Sequence, residues 1–200
     1  MAASDTYGLV ICGGSSSRMG CDKCQVIYHQ KEQSYHVYDM LAPFFSKVLL
    51  CCNNLQATNI QPPYLYLTDH DFYKNSGPMG ALLTAYKTHP GKNFVALGCD
   101  YPFLTPATLS IFINSIADST TPAAFYNNAV DLYEPLLAFY TAANMEQIKK
   151  IFGDGNYSLQ YFLRQQKADK FTQYQPGEIK SVDTLEEMEA ARKQLKQKND

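Results

Sequence analysis

The stretch Tyr7-Gly8-Leu9-Val10-Ile11-Cys12-Gly13-Gly14-Ser15-Ser16-Ser17-Arg18-Met19-Gly20-Cys21-Asp22-Lys23 decides how this chain reads. Tyr7 to Cys12 is an apolar run with the length of a buried strand. Gly13 and Gly14 carry no Cβ, so the backbone that follows can turn sharply and approach a ligand closely. Three serines add hydroxyls and main-chain N–H groups, and Arg18 and Lys23 add two cations. A donor-rich, cationic loop at the carboxyl end of a strand suits a polyphosphate. The loop is neither GxxxxGK[ST], since Cys21 follows Gly20, nor GxGxxG, since Gly14 follows Gly13. Neither a P-loop ATPase nor a dinucleotide oxidoreductase is therefore favoured.

The rest of the chain alternates strand and helix. Lys47–Cys52, Tyr64–Leu67 and Phe94–Cys99 are short apolar runs of the kind found in strands covered on both faces. Between them, Ser34–Phe45 has helical apolar spacing and Pro78–Thr88 opens with proline in a first helical turn. Thr105 before Pro106 predicts an N-cap, with a helix to about Ala117. Beyond Asp118, Ala123–Tyr126 and Glu134–Tyr140 read as antiparallel strands, and Ala142–Phe152 and Ser158–Gln166 as helices. Short strands are expected at Phe171–Tyr174 and Ile179–Val182, then a charged helix over Thr184–Lys196 packing Leu185, Met188 and Leu195 inward. This predicts an α/β fold, a mostly parallel central sheet with antiparallel strands added by the C-terminal half. Residues 1–200 are expected to form one domain.

Composition narrows the partners. With 17 Lys and Arg against 19 Asp and Glu, the net charge is −2 and the pI about 6.1. A broad nucleic-acid footprint or anionic-membrane surface wants a strongly basic face, so neither partner is expected. No apolar run approaches the roughly 20 residues of a membrane span. The segment Met1–Asp5 has no cationic leader pattern, which predicts an unexported, cytoplasmic protein. Of six cysteines, Cys12, Cys51, Cys52 and Cys99 sit at the ends of apolar runs and read as small buried hydrophobes. Cys21 and Cys24 form a lone CxxC with no second ligand pair at motif spacing, and read as incidental thiols. His29, His36, His70 and His89 are scattered along the chain and read as surface or partly packed residues rather than catalytic ones.

In an open parallel sheet the ligand sits outside the carboxyl ends of the strands. Asp100 ends the Phe94–Cys99 run immediately before Tyr101-Pro102. Opposite a phosphate loop its carboxylate suits Mg²⁺, a hard cation held by one or two carboxylates and phosphate oxygens. The alternative is that Asp100 starts a turn. Asp69 follows the Tyr64–Leu67 strand and Asn53 the Lys47–Cys52 strand, at the same edge of the sheet. Gly80, in Ser76-Gly77-Pro78-Met79-Gly80, either lets a base or ribose approach the backbone or serves a loop-to-helix turn. Tyr101, beside Asp100, either stacks on a ligand or packs like most tyrosines, with the ring buried and the hydroxyl at the surface.

Together these pieces resemble the molybdenum cofactor guanylyltransferase (MobA) family of the nucleotide-sugar-transferase-like superfamily. Gly13 to Lys23 is similar to that family's GGxSxRMGxDK signature. Gly77-Pro78 and Cys99-Asp100-Tyr101-Pro102 resemble its GP and CDxP elements, Pro135-Leu136 its later P-L strand, and Ser181 to Glu187 its NxNTPEEL segment. The likeness runs over nearly the whole chain. The family's pattern often has asparagine where this chain has Cys51, with Asn53 two positions on, and two asparagines where it has Ser181 and Asp183. The resemblance implies a Rossmann-like three-layer fold that binds GTP and Mg²⁺ and transfers GMP to the phosphate of molybdopterin, releasing pyrophosphate. It implies that Cys12, Gly13, Gly14 and Ser15 lie along the nucleotide, with Asn53, Asp69 and Gly80 contributing. Lys23 would contact the phosphates and Arg18 the leaving pyrophosphate. Asp100, with Asp183, would hold the metal. Contact with molybdoenzymes or other cofactor-biosynthesis proteins is implied as well. A related nucleotidyltransferase using CTP or another nucleotide, or a non-catalytic nucleotide-binding homologue, remains an alternative.

Overall fold

The computed structural model describes residues 5–12, 22–175 and 177–197. Seven strands form one sheet: β1 (Thr6–Ile11), β2 (Val48–Cys52), β3 (Tyr66–Thr68), β4 (Asn93–Gly98), β5 (Ala123–Asn127), β6 (Leu132–Tyr140) and β7 (Asp169–Phe171). Their order is β3-β2-β1-β4-β6-β5-β7. The pairs β3-β2, β2-β1, β1-β4 and β5-β7 are parallel, whereas β6 runs antiparallel to β4 and β5. The α/β expectation and its antiparallel addition both hold.

Side-chain alternation makes the sheet the middle of three layers. Val10, Leu50, Val95, Leu97 and Phe125 face α1 (Gln33–Leu41) and α4 (Pro106–Ser115). Leu9, Leu49, Phe94, Ala96 and Ala124 face α3 (Gly77–Thr88), α5 (Ala142–Gly153) and α6 (Leu159–Gln165). Burial on both faces is why these strands read as continuous apolar runs rather than alternating ones. A third, smaller core joins Val26 and Tyr28 to Val182, Met188, Ala191 and Leu195. It docks α7 (Leu185–Gln197) beside the segment after Lys23.

Three expectations fail for local reasons. The short strand expected at Phe171–Tyr174 lies instead at Asp169–Phe171, where it pairs with β5. Ile179–Val182 is not a strand. Its shape is set by the buried Glu178, whose carboxylate accepts from the hydroxyls of Thr105 (2.6 Å) and Thr108 (2.8 Å) and from the Gln175 N–H (2.7 Å). Those side-chain bonds take the place of a ladder. On α7, Met188 and Leu195 pack inward as expected, but Leu185 is half exposed and Ala191 fills the stripe.

Candidate functional site

The chain lays down β1, steps outward to β2 and β3, then returns so that β4 pairs with the opposite edge of β1. The strand order therefore reverses between β1 and β4, the position at which open α/β sheets place their ligand crevice. Ile11 pairs with Gly98, so the ends of both strands lie side by side. The segment leading to Lys23 leaves one and Asp100 leaves the other.

Lys23 opens a 3₁₀ turn, Lys23–Gln25, that the Asp22 carboxylate caps by accepting from the Cys24 N–H at 3.0 Å. The turn presents its ammonium to two carboxylates. Lys23 Nζ lies 3.2 Å from Asp100 Oδ1 and 2.5 Å from Asp183 Oδ1. Burial works against the Lys23 charge, but the two carboxylates outweigh it and raise its pKa. Burial raises the pKa of Asp100, Lys23 opposes that rise, and Asp183 adds to it. Two carboxylates converging on one cationic group supply hard oxygen donors of the kind Mg²⁺ takes, so Asp100 and Asp183 fit a divalent ion.

Asp183 is 83 residues from Asp100 in sequence, and its position is built by several contacts. The Val182 N–H donates to the Asp100 carbonyl at 2.9 Å, tying the two segments together. The Glu187 carboxylate accepts from the N–H groups of Asp183 (2.9 Å) and Thr184 (3.1 Å). Thr184 Oγ1 accepts in turn from the Glu187 N–H at 3.2 Å, a reciprocal cap at the start of α7. Ser181, which stands where the family pattern has asparagine, donates to Asp183 Oδ2 at 2.9 Å.

The other candidate residues fall into three groups. Gly13, Gly14, Ser15 and Arg18 lie outside the described residues. Cys12 follows β1 at the crevice, and Asp69 follows β3 two strands away. The Cys12 N–H donates to the Cys51 carbonyl at 2.9 Å, and its thiol turns into the α1/α4 face. Asp69 is half buried, which raises its pKa against the pull of Lys74. Asn53 and Gly80 have structural duties. Asn53 Oδ1 caps the short helix α2 (Asn54–Ala57) by accepting from the Gln56 N–H at 2.9 Å. A Cβ on Gly80 would sit 2.4 Å from the Tyr73 carbonyl oxygen, so the close approach this glycine permits is to its own chain. Tyr101 is likewise committed: its ring is buried and its hydroxyl donates to Glu134 Oε2 at 2.9 Å.

Gln56 is a contributor the sequence reading missed. Its Oε1 accepts from the Asn53 N–H at 3.0 Å, while its Nε2 donates to the Cys12 carbonyl (3.2 Å) and to Asp22 Oδ2 (2.8 Å). It thereby braces the end of β1 and the Asp22 cap from the β2 side. The available signal was the Asn-x-x-Gln spacing of a capping box after a strand. Two of the four histidines, read as surface or partly packed, lie together. His29 and His36 stack at 3.8 Å, and His29 Nε2 donates to the Pro102 carbonyl at 3.1 Å.

Comparison with known proteins identifies the family and the fold. The family model for the MobA-like NTP transferase domain matches residues 8–170. A molybdenum cofactor biosynthesis bifunctional protein of Synechocystis sp. is 29% identical over 147 residues, covering 72% of this chain. The match spans only 41% of that relative's length. A molybdenum cofactor guanylyltransferase of Syntrophotalea carbinolica is 26% identical over 156 residues, 78% of this chain and 72% of the relative. The crystal structure of molybdopterin-guanine dinucleotide biosynthesis protein A from Archaeoglobus fulgidus shares the fold, with a TM-score of 0.76 at 19% identity over 96% of this chain and 99% of that one. With its family matched across most of its length and its carboxylates gathered at the β1/β4 reversal, the chain belongs to the MobA-like NTP transferase domains, a family of nucleotidyltransferases.

Proposed function

We propose that this protein transfers GMP from GTP to the terminal phosphate of molybdopterin, with Mg²⁺, forming the guanine dinucleotide cofactor and releasing pyrophosphate. The observation that carries this reading is the meeting of Lys23, Asp100 and Asp183 at the reversal between β1 and β4, with the sequence Gly13-Gly14-Ser15-Ser16-Ser17-Arg18 between β1 and Lys23. The names of the Synechocystis and Syntrophotalea relatives support the choice of acceptor and nucleotide.

In the proposed reaction an oxygen of the acceptor phosphate attacks the α-phosphorus of GTP in line. One P–O bond forms, the bond to the β-phosphate breaks, and its electron pair leaves on pyrophosphate. The attacking oxygen is already anionic, so neither a protein nucleophile nor a strong general base is needed. What the chain must do is position the reactants and neutralise charge. In this reading Lys23 would neutralise the growing charge of the leaving group, and Arg18, which lies outside the described residues, would share that role. The carboxylates keep Lys23 protonated and limit its wandering, and Asp100 and Asp183 are the residues that would hold Mg²⁺. When bound, that ion polarises the phosphate oxygens it contacts. Gln56 and the Asp22 cap hold the loop's two ends against β1 and β2. This reading places the enzyme in the cytoplasm and in passing contact with the proteins that use its product.

A thermal-shift panel of GTP, CTP, ATP and UTP with Mg²⁺, followed by a pyrophosphate-release assay with molybdopterin, tests the proposal. Selective stabilisation by GTP and release of pyrophosphate are expected. Selective stabilisation by CTP would move the chain to a different nucleotide, and nucleotide binding without release would make it a binding homologue. Asp100→Ala should remove metal-dependent turnover while the far-ultraviolet CD spectrum is kept; wild-type turnover would dismiss Asp100 as the metal ligand. Lys23→Ala should weaken GTP by about 1.5–3 kcal/mol, the range of a charge-assisted hydrogen bond.

A further inference from the structure

Three cysteines far apart in the sequence meet beneath the crevice. Cys12 extends β1, Cys99 extends β4, and Cys24 lies in the 3₁₀ turn after Lys23. Ile11 and Gly98 are register partners, so the next residue on each strand, Cys12 and Cys99, is its neighbour's counterpart. Both point into the α1/α4 face, and Cys24 drops onto them from the turn. The three Sγ atoms lie within 4.8 Å of one another, and Cys24 Sγ stands 3.4 Å from Cys99 Sγ. Exposure is 8% at Cys12, 6% at Cys24 and 3% at Cys99. Among the described residues no histidine or carboxylate joins the group.

We propose that Cys12, Cys24 and Cys99 bind one thiophilic d¹⁰ cation, Zn²⁺ or Cu⁺, as a structural staple under the nucleotide crevice. The sulfur spacing fits. Thiolates about 2.3 Å from a tetrahedral Zn²⁺ are about 3.8 Å from one another. One pair already stands at 3.4 Å and all three lie within 4.8 Å of one another, so small side-chain adjustments complete the site. The donor set is all sulfur, which selects soft ions over Mg²⁺. A cavity of about 30 Å³ beside Cys12 and Cys24, lined also by Asp22 and Gln56, has room for a water as a fourth ligand. A chelate among β1, β4 and the 3₁₀ turn would hold those three segments together in one cluster. Cys24 and Cys99 are the sequence neighbours of the crevice residues Lys23 and Asp100, and Cys12 directly extends β1. The ion would therefore set the spacing of the two strand ends and of Lys23. This inference stands whether or not GTP proves to be the substrate.

The test is metal retention by the full chain. Reduced protein is loaded with Zn²⁺ or, anaerobically, with Cu⁺, desalted against a weak chelator, and assayed by elemental analysis. Co²⁺ loading gives a second readout, the thiolate-to-cobalt charge-transfer band. About one equivalent of Zn²⁺ or Cu⁺ should be retained, with a rise in Tm, and the arm that retains it names the ion. Retention and the cobalt band should fall at least about tenfold in Cys24→Ser and in Cys99→Ser, and stay whole in Cys51→Ser, a buried cysteine on the opposite face of the sheet. If a serine variant fails to fold by CD, Cys24→Ala replaces it. Equal retention by all the variants, or no retention by reduced wild type, overturns the proposal. So does an intact mass showing a Cys24–Cys99 disulfide together with no metal uptake after reduction.

Discussion

Gly80 illustrates how one side chain, or the lack of one, is read differently before and after folding. In sequence it is a glycine in the first turn of a helix near a candidate ligand. In the fold its missing Cβ makes room for the Tyr73 carbonyl. Gly80→Ala should destabilise the protein by about 1–3 kcal/mol, the cost of overpacking against an atom that cannot swing away. Chemical denaturation measures this, and nucleotide affinity at temperatures where the variant is folded should change little. Tyr101 and Asn53 follow the same pattern, one spent on Glu134 and the other on the cap of α2. Lys23 and Asp100 could be picked out beforehand as charges near the carboxyl edge of the sheet, but their meeting at 3.2 Å depends on β1 and β4 lying side by side. Gln56 could not, because its contacts to the Cys12 carbonyl and Asp22 need the β2 end to lie beside the β1 end.

Elements were legible where burial has a period. The strands β1, β2 and β4 announce themselves as continuous apolar runs, and Thr105 and Ser158 cap α4 and α6 with side-chain oxygens as their positions suggest. The segment 175–184 was not legible. It owes its course to Glu178, whose two oxygens accept from Thr105, Thr108 and the Gln175 backbone, none of which a local pattern discloses. Burial alone would raise the Glu178 pKa, yet the hydrogen bonds to Thr105, Thr108 and the Gln175 backbone prevail and lower it. A depressed carboxyl contributes stability that is present above the unfolded value and is lost as pH falls through the folded one. Glu178→Gln should therefore lower stability at neutral pH and flatten its acid dependence near and below the ordinary glutamate value. It should also weaken Mg²⁺-dependent turnover, since the same segment carries Asp183. Denaturation at several pH values and a steady-state assay check both; unchanged turnover would detach the segment's anchoring from the site.

For the whole molecule, acid stability should turn on the His29–His36 stack. Burial lowers His36 first of all, His29 and Lys31 lower it further, Asp39 opposes them, and the result is a pKa of about 4. The folded protein keeps that ring neutral where the unfolded chain, near 6.5, would already be protonated. The unfolded state then binds more protons, so stability should fall as pH drops from about 6.5 to about 4. His36→Gln should show a shallower decline over that window in urea titrations, and an identical decline would remove His36 as its source.

The amino-acid sequence alone determined the layered α/β architecture and the identity of the residues that crown β1 and β4. Those features follow from apolar runs and end-of-strand charges, both of which are local. Tertiary structure alone decided that Asp183 would stand beside Lys23 and Asp100, that Gln56 would brace the end of β1, and that three dispersed cysteines would share one buried point. Each of those depends on strand order, which brings β1 next to β4 across more than 80 residues of chain, and on the bond from Val182 to Asp100, which returns the last segment to the same edge.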